Sequence, residues 1–295
     1  MAKKLFRSAI TLAGTLAGLL LFSGSAGAID IYPADYTVAP AGTNLALVYL
    51  GYTPSNNFSL DGGGKVPQSS LDQTVGIIRW LHYSEIGGMP VAYQFYLPFA
   101  RLSNAKVGGQ DLQVNNGIGD LTLGFTAFLL KKDDANYGTT IGLTAYVSVD
   151  TGKYDFGKAG AGVGTTTYTP QLGIIQGLGH GFYFDGALDV AVQRSHNEQD
   201  FHVDTRASTE VQAYLRYQFS PASSLSFGYA GFTGGKQYID SVYQQQETRS
   251  NQVRIFGSHM LTPTWQLAGT LGKALSAQGG FKEQYNAQLR LMKIF

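Results

Sequence analysis

Apolar and polar residues alternate one by one along most of the chain. In TTIGLTAYVSVD, Ile141, Leu143, Ala145, Val147 and Val149 fall on one face, and Thr140, Gly142, Thr144, Tyr146, Ser148 and Asp150 fall on the other. Residues 120–130 and 181–195 repeat the pattern, and residues 205–219 carry its longest run. A period of two marks strands with one apolar and one polar face. The alternation predicts twelve strands: 43–53, 72–83, 91–102, 119–131, 139–150, 165–176, 181–194, 205–219, 224–234, 248–261, 264–274 and 283–295. Many run roughly 11–15 residues, against about 5–6 in soluble sheets. About 9–11 tilted residues cross a bilayer, which leaves some for the rims. Asp185, Asp189, Glu210 and Arg216 sit near mid-strand on the polar faces. Apolar residues outside and charges inside describe an all-β, antiparallel transmembrane β-barrel.

The connections are sorted by length. After the odd strands they run about 8–18 residues and are rich in Gly, Asn, Asp, Lys and Gln; after the even strands they run about 2–7, as in GLGH and SPAS. Outer-membrane barrels have long external loops, short periplasmic turns and an even strand number. A soluble sandwich has no reason to sort its connections in this way. Tyr285, Ala287, Leu289, Leu291, Lys293 and Phe295 share the outward face of the last strand. Phe295 is therefore expected to act as an assembly signal for the barrel-assembly machinery. Lys293 sits where an apolar residue is commoner, and its long side chain can snorkel to the headgroups.

The first residues read differently. Lys3, Lys4 and Arg7 precede an apolar run at 9–22, too short for a good spanning helix, and Ala26 and Ala28 form an A-x-A cleavage pattern. Residues 1–28 are therefore expected to be a cleaved export signal rather than a retained anchor. Cleavage removes three positive charges and leaves a slightly acidic chain with no basic patch, a poor nucleic-acid binder. Charged residues make up only 14% of the sequence, against about 25% in ordinary soluble domains. With no cysteine, there is no disulfide, thiolate metal site or Cys nucleophile. Residues 29–42, IDIYPADYTVAPAG, are too proline-rich for a strand. They are expected to enter the lumen as a partial plug or to lie along the periplasmic rim, ahead of a barrel over 43–295.

Four stretches carry a family resemblance: YPADYTVAPAGTNLALVYLGY (32–52), VGIIRWLHYSEIGGMPVAYQFYLPFARL (75–102), NNGIGDLTLGF (115–125) and VDTGKYDFG (149–157). They contain a Pro-x-Gly-Thr start, a strand–turn–strand ending in Leu-Pro-aromatic, a Gly-x-Gly-Asp loop and a Gly-x-Tyr-Asp loop. The chain resembles the outer-membrane transporter family named after the meta pathway of phenol degradation. The resemblance covers most of the chain beyond the signal. It implies an outer-membrane barrel for uptake of small hydrophobic or aromatic compounds, and it brings no catalytic residues.

Other motifs lead elsewhere or nowhere. Gly117-Ile118-Gly119-Asp120 lacks the Lys-Ser/Thr and the helix of a phosphate loop. It reads as a tight loop in which Asp120 caps the strand rim. The tripeptide DFG at 155–157 stands without any other kinase motif. His196 and His202, with Asp200 and Asp204, share one loop and read as solvated rather than metal-binding. No Ser–His pair is expected on neighbouring strands with a carboxylate or carboxamide behind it, so neither enzyme activity nor a cofactor or metal is expected. The candidate solute path consists of the lumen positions Arg79, Tyr146, Asp185, Asp189, Glu210, Tyr214, Arg216, Arg254 and Arg290. Facing lipid at mid-membrane an arginine costs about 2–4 kcal/mol; in a polar lumen it can be satisfied. These charges can guide solutes through a constriction or pair into a polar core. The sequence thus points to an outer-membrane channel of a Gram-negative bacterium for passive uptake of small apolar or aromatic molecules. A closed structural or adhesive barrel acting through its external loops is the alternative.

Overall fold

A computed structural model describes residues 29–134 and 136–295. The expected signal, residues 1–28, lies outside the described residues. Twelve antiparallel strands form the wall: β1 (Asn44–Leu60), β2 (Ser70–Ile86), β3 (Met89–Val107), β4 (Leu121–Lys132), β5 (Thr139–Val149), β6 (Thr167–Gly179), β7 (Phe182–Gln193), β8 (Ser208–Ser220), β9 (Ser223–Gly234), β10 (Thr248–Thr262), β11 (Trp265–Gln278) and β12 (Asn286–Ile294). Each strand pairs with its sequence neighbours, and β1 pairs with both β2 and β12, so the sheet closes on itself. Closure follows from the solvent. Lipid offers no hydrogen-bond partner, so a spanning sheet cannot leave an unpaired edge.

The alternation places residues as the pleat requires. Val48, Leu50, Leu143, Leu188, Leu215 and Leu289 point outward and are exposed, while Gln171, Asp185, Gln212 and Arg290 on the opposite faces are buried. Aromatic side chains gather near the two rims, as membrane interfaces favour. Phe182 packs on Tyr217 beside one short turn, with ring centroids 4.7 Å apart, and Tyr52 meets Tyr285 at 6.3 Å near the opposite end. Two of the short turns use paired positive φ angles: Gly87 and Gly88 (58° and 83°), and His180 and Gly181 (53° and 81°). Those are the angles of a type I′ hairpin turn, whose twist matches that of the strands.

Several strands run further than the alternation suggests. β1 continues to Leu60 rather than 53, β2 starts at Ser70 rather than 72, and β3 reaches Val107 rather than 102. Beyond the bilayer one face no longer has to be apolar, so the period-two signal fades while the ladder of backbone bonds continues. The extension is held by its own cluster, in which Phe58, Leu71, Leu102, Val107 and Phe281 are buried together. The long connections add short pairings of their own. One sheet combines Phe201–Thr205 with His196–Glu198 and Gln237–Ile239, and Ala159–Gly160 runs parallel to Val114–Asn115.

The chain end sits at the seam. Phe295 N donates to Asn44 O at 2.9 Å, and Asn44 N donates back to Phe295 O at 3.3 Å. The Phe295 ring lies outward and is 64% exposed. Lys293 Nζ donates to Thr264 Oγ1 at 2.8 Å and stands 5.1 Å from the Trp265 ring, at the short-turn rim.

Because every wall strand is paired, the folded barrel should resist detergent. Unboiled protein is expected to migrate differently from boiled protein in a denaturing gel, and equal mobility would contradict the closed wall. If Phe295 acts as the expected assembly signal, its deletion should lower the amount of heat-modifiable barrel recovered from membranes relative to wild type. Unchanged folded levels would remove its assembly role.

Candidate functional site

The nine lumen positions singled out by alternation are all buried inside the barrel. They fall into three groups, organised by the segment preceding β1.

Residues 29–42 turn back from the rim into the lumen. Gly42 N donates to Tyr83 O, and Tyr83 N donates to Thr43 O, which ties the base of the segment to β2. Higher up, Asp35 N donates to Tyr32 O across Pro33 and Ala34. Proline at the second position and a φ of 72° at Ala34 mark a type II turn, which ordinarily asks for glycine at the third position. Here the Ala34 amide donates to Asp185 Oδ1 at 3.0 Å, which helps hold that conformation. The turn aims Asp35 at two arginines. Arg79 Nη1 donates to Asp35 Oδ2 at 2.8 Å and Arg290 Nη1 to Asp35 Oδ1 at 2.7 Å. The guanidiniums are completed by wall residues. Arg79 donates to Gln94 Oε1 and Tyr49 OH and lies over Tyr96; Arg290 donates to Gln266 Oε1 and lies over Tyr32.

Tyr36 fits a slot made by two glycines that face each other on adjacent strands, Gly142 of β5 and Gly173 of β6. A Cβ at Gly173 would run into the Tyr36 ring, and one at Gly142 would lie 2.7 Å from it. The Tyr36 hydroxyl donates to Gln171 Oε1 at 3.0 Å and shares a hydrogen bond with Thr144 Oγ1 at the same distance. Tyr146 lies beside this slot and accepts a long hydrogen bond from Gln94 Nε2 at 3.3 Å. Around the lower part of the segment lies a cavity of about 10 Å³, bounded by Ile31, Asp35, Tyr36, Arg79 and neighbouring wall residues. That is about room for one water molecule.

Above the segment the lumen opens into a cavity of about 340 Å³. Ile29, Asp30 and Tyr32 form its floor, Tyr49, Ile77, Tyr96 and Phe232 contribute apolar wall, and Asp120, Ala161, Val163 and Glu283 reach in from the long connections. Arg254 Nη1 donates to Asp30 Oδ1 at 2.5 Å and, more weakly, to Tyr214 OH at 3.4 Å. Asp189 and Glu210 stand opposite each other on β7 and β8. Asp120 accepts from the amides of Thr151, Gly152 and Val163, which fixes the connection after β5 against the one after β3. Burial raises the Asp120 carboxyl above its ordinary range despite those three donors. Gly119 permits the close approach, since a Cβ there would meet Ala161 O at 2.8 Å.

Three features escaped the sequence reading. Asp35, the partner of both Arg79 and Arg290, lies in a segment without periodicity. The Gly142–Gly173 slot becomes visible only once the register of β5 and β6 is known. The third is a side-chain pair at the rim. Ser223 Oγ lies 2.7 Å from His259 Nδ1 on the neighbouring strand. The expected strand 224–234 began one residue too late to show this pairing. The imidazole has no carboxylate or carboxamide hydrogen-bonded behind it among the described residues, so the pair lacks the third member of a hydrolytic triad. His196 and His202 turn to separate partners, Glu198 and Asn197. No group of three metal-ligating side chains occurs among the described residues.

Asp185 and Arg216 form the third group. Tyr183 is opposite Arg216 and Asp185 opposite Tyr214, so the two charges are diagonal neighbours on the lumen face. Arg216 Nε donates to Asp185 Oδ2 at 2.8 Å and Nη2 to Oδ1 at 3.3 Å, with the guanidinium 4.2 Å from the Tyr183 ring centre. Breaking a buried pair by removing one partner costs about 3–5 kcal/mol. Asp185→Arg or Arg216→Asp alone should therefore lower the denaturant midpoint of the barrel in lipid vesicles or detergent. The double exchange should recover part of the loss but not all, because an arginine at position 185 cannot accept from the Ala34 amide. A double variant no better than the single ones would show that the two charges are not coupled.

The sequence profile of the family described as "Putative MetA-pathway of phenol degradation" matches residues 55–291. No curated protein sequence matches the chain. Among solved structures, the COG4313 outer membrane channel from Pseudomonas putida F1 superposes with a TM-score of 0.82 at 26% identity, over 90% of this chain and 100% of that one. The transport unit of the autotransporter AIDA-I from Escherichia coli reaches 0.47 at 9% identity over 97% and 98% of the two chains. The TodX monoaromatic hydrocarbon channel reaches 0.41 at 9% over 89% and 91%. Both are too distant to bear on what this barrel does. The profile spans well over half of the sequence, and the chain therefore belongs to the family described as "Putative MetA-pathway of phenol degradation", with a barrel of the outer-membrane type.

Proposed function

We propose that this barrel is an outer-membrane channel of a Gram-negative bacterium that lets small apolar or aromatic molecules pass down their gradient without energy coupling. The observation that carries this reading is the cavity above the 29–42 segment. Its volume, about 340 Å³, lies at the low end of the roughly 300–1,000 Å³ of small-ligand pockets and suits a single aromatic ring better than a sugar chain. Tyr49, Ile77, Tyr96 and Phe232 offer apolar and aromatic contacts there, while Thr53, Gln73 and Gln288 offer a few polar ones. Membership of a family named after phenol degradation supports the solute class, and the solved channel from Pseudomonas putida F1 supports passage through the barrel.

On this reading Arg79, Tyr146, Asp185, Asp189, Glu210, Tyr214, Arg216, Arg254 and Arg290 line the solute path and also anchor the segment that narrows it. Arg79, Arg290, Arg254 and the Asp185–Arg216 pair have their charges matched within the protein rather than facing an open pore, which disfavours hydrated ions and favours small apolar molecules as the cargo. Export through cleavage of residues 1–28 and delivery by the barrel-assembly machinery, with Phe295 as the signal, belong to the same proposal.

The tight packing below the cavity favours one other reading, a closed barrel that acts through its external connections. Uptake separates the two. Cells carrying the gene should take up labelled toluene, phenol or fatty acid faster than cells lacking it, at equal levels of other porins, and labelled sugar uptake should not differ. Equal uptake of all three apolar probes in the presence of folded barrel would remove the channel reading and leave the closed one.

A further inference from the structure

The upper end of the lumen segment meets more negative charge than the wall balances. Asp189 is 1% exposed. Its Oδ2 accepts from Gln171 Nε2 at 2.9 Å, and its Oδ1 has no hydrogen-bond partner among the described residues. Directly opposite stands Glu210, also buried. Like charges facing each other across a strand pair are destabilising. The nearby cation, Arg254, is already held by Asp30, and Glu283 brings a further buried carboxyl to the same cavity. A buried charge without a counter-charge is costly, so this end of the lumen lacks a cation.

Ile29 is held in that place. Its amide nitrogen lies 3.4 Å from Asp189 Oδ2, and its carbonyl accepts from Gln171 Nε2 at 2.7 Å and Gln212 Nε2 at 3.2 Å. Ile29 is also the residue that follows the A-x-A pattern ending at Ala28. We propose that cleavage after Ala28 supplies the missing cation: the new α-ammonium of Ile29 forms an internal ion pair with Asp189 and locks residues 29–42 into the lumen. Hydrolysis of the Ala28–Ile29 peptide bond consumes one water. It leaves a carboxylate on Ala28 and an amino group on Ile29 that carries the proton, so the step is balanced and adds one positive charge beside Asp189. A peptide amide can offer a single, long hydrogen bond there. An ammonium offers three protons and can engage both oxygens of the carboxylate. Export processing then supplies the charge that the later closure of the lumen uses.

The test uses barrel purified from outer membranes. Sequencing of the N-terminus should return Ile29 first. An amine-acylating reagent at pH 8, read by mass spectrometry of the N-terminal peptide, should modify Ile29 at least about tenfold more slowly in the folded barrel than in boiled protein, since ion pairing withholds the unprotonated amine. Lysines in the external connections serve as the accessible control. Asp189→Glu, which keeps the charge, should retain the protection, and Asp189→Asn should lose most of it while remaining heat-modifiable. An Asn variant that fails to assemble while the Glu variant assembles also supports the pair; if neither assembles, the wild-type ratio decides. A mature chain starting elsewhere, equal labelling of folded and boiled wild type, or full protection in a folded Asp189→Asn barrel would each overturn the proposal.

Discussion

One carboxylate between two guanidiniums organises the interior of this barrel. Asp35 reaches Arg79 on β2 and Arg290 on β12, the two strands that flank β1. A twelve-strand wall encloses more space than wall side chains alone readily fill. Arginine side chains left there without partners would be buried charges without compensation, and the lumen segment supplies both volume and counter-charge. Tyr32 and Tyr36 occupy the space on either side of that carboxylate, and the polar wall residues Gln94, Gln171, Gln212 and Gln288 complete the hydrogen bonds. The interior is thus a core built from a wall and an inserted strip, with hydrogen bonds and ion pairs in the place that apolar packing takes in a soluble domain.

The wall was legible in the sequence because lipid imposes the same demand at every second residue. Leu143, Leu188 and Leu215 had to point outward, which sent Tyr146, Asp189 and Arg216 inward. The sorting of the connections added the order of the strands. The interior network was not legible in this way. No solvent boundary runs along residues 29–42, so no period betrays that Asp35 and Tyr36 are anchors. Glycine on a lumen face, as at 142 and 173, reads as a weak strand position until the register shows the two facing each other beneath a tyrosine ring. Ser223 and His259 show the same limit at the rim, where one residue of strand length decides whether two side chains meet.

The same division bears on function. Residues facing lipid serve only to keep the barrel in its membrane, and most changes among apolar types there conserve the wall. Residues facing inward hold both the resting shape of the lumen and the walls of the upper cavity. Arg254 is an instance: it binds Asp30 in the segment and also lines the cavity. A substitution in the cavity therefore disturbs the anchoring of the segment unless it avoids these shared residues. Phe232 and Val75 line the cavity without a polar tie to the segment.

The bond from Arg290 to Asp35 joins residues 255 positions apart. Synthesis and export deliver the N-terminal member of this pair first and the C-terminal member almost last. Until β12 arrives, Asp35 has at most one of its two cations, and the strip has no finished enclosure to enter. The interior therefore matures only after the seam between β1 and β12 has formed, so the late steps of biogenesis run from the outside inward, the reverse of a soluble protein that collapses around its core and finishes at its surface.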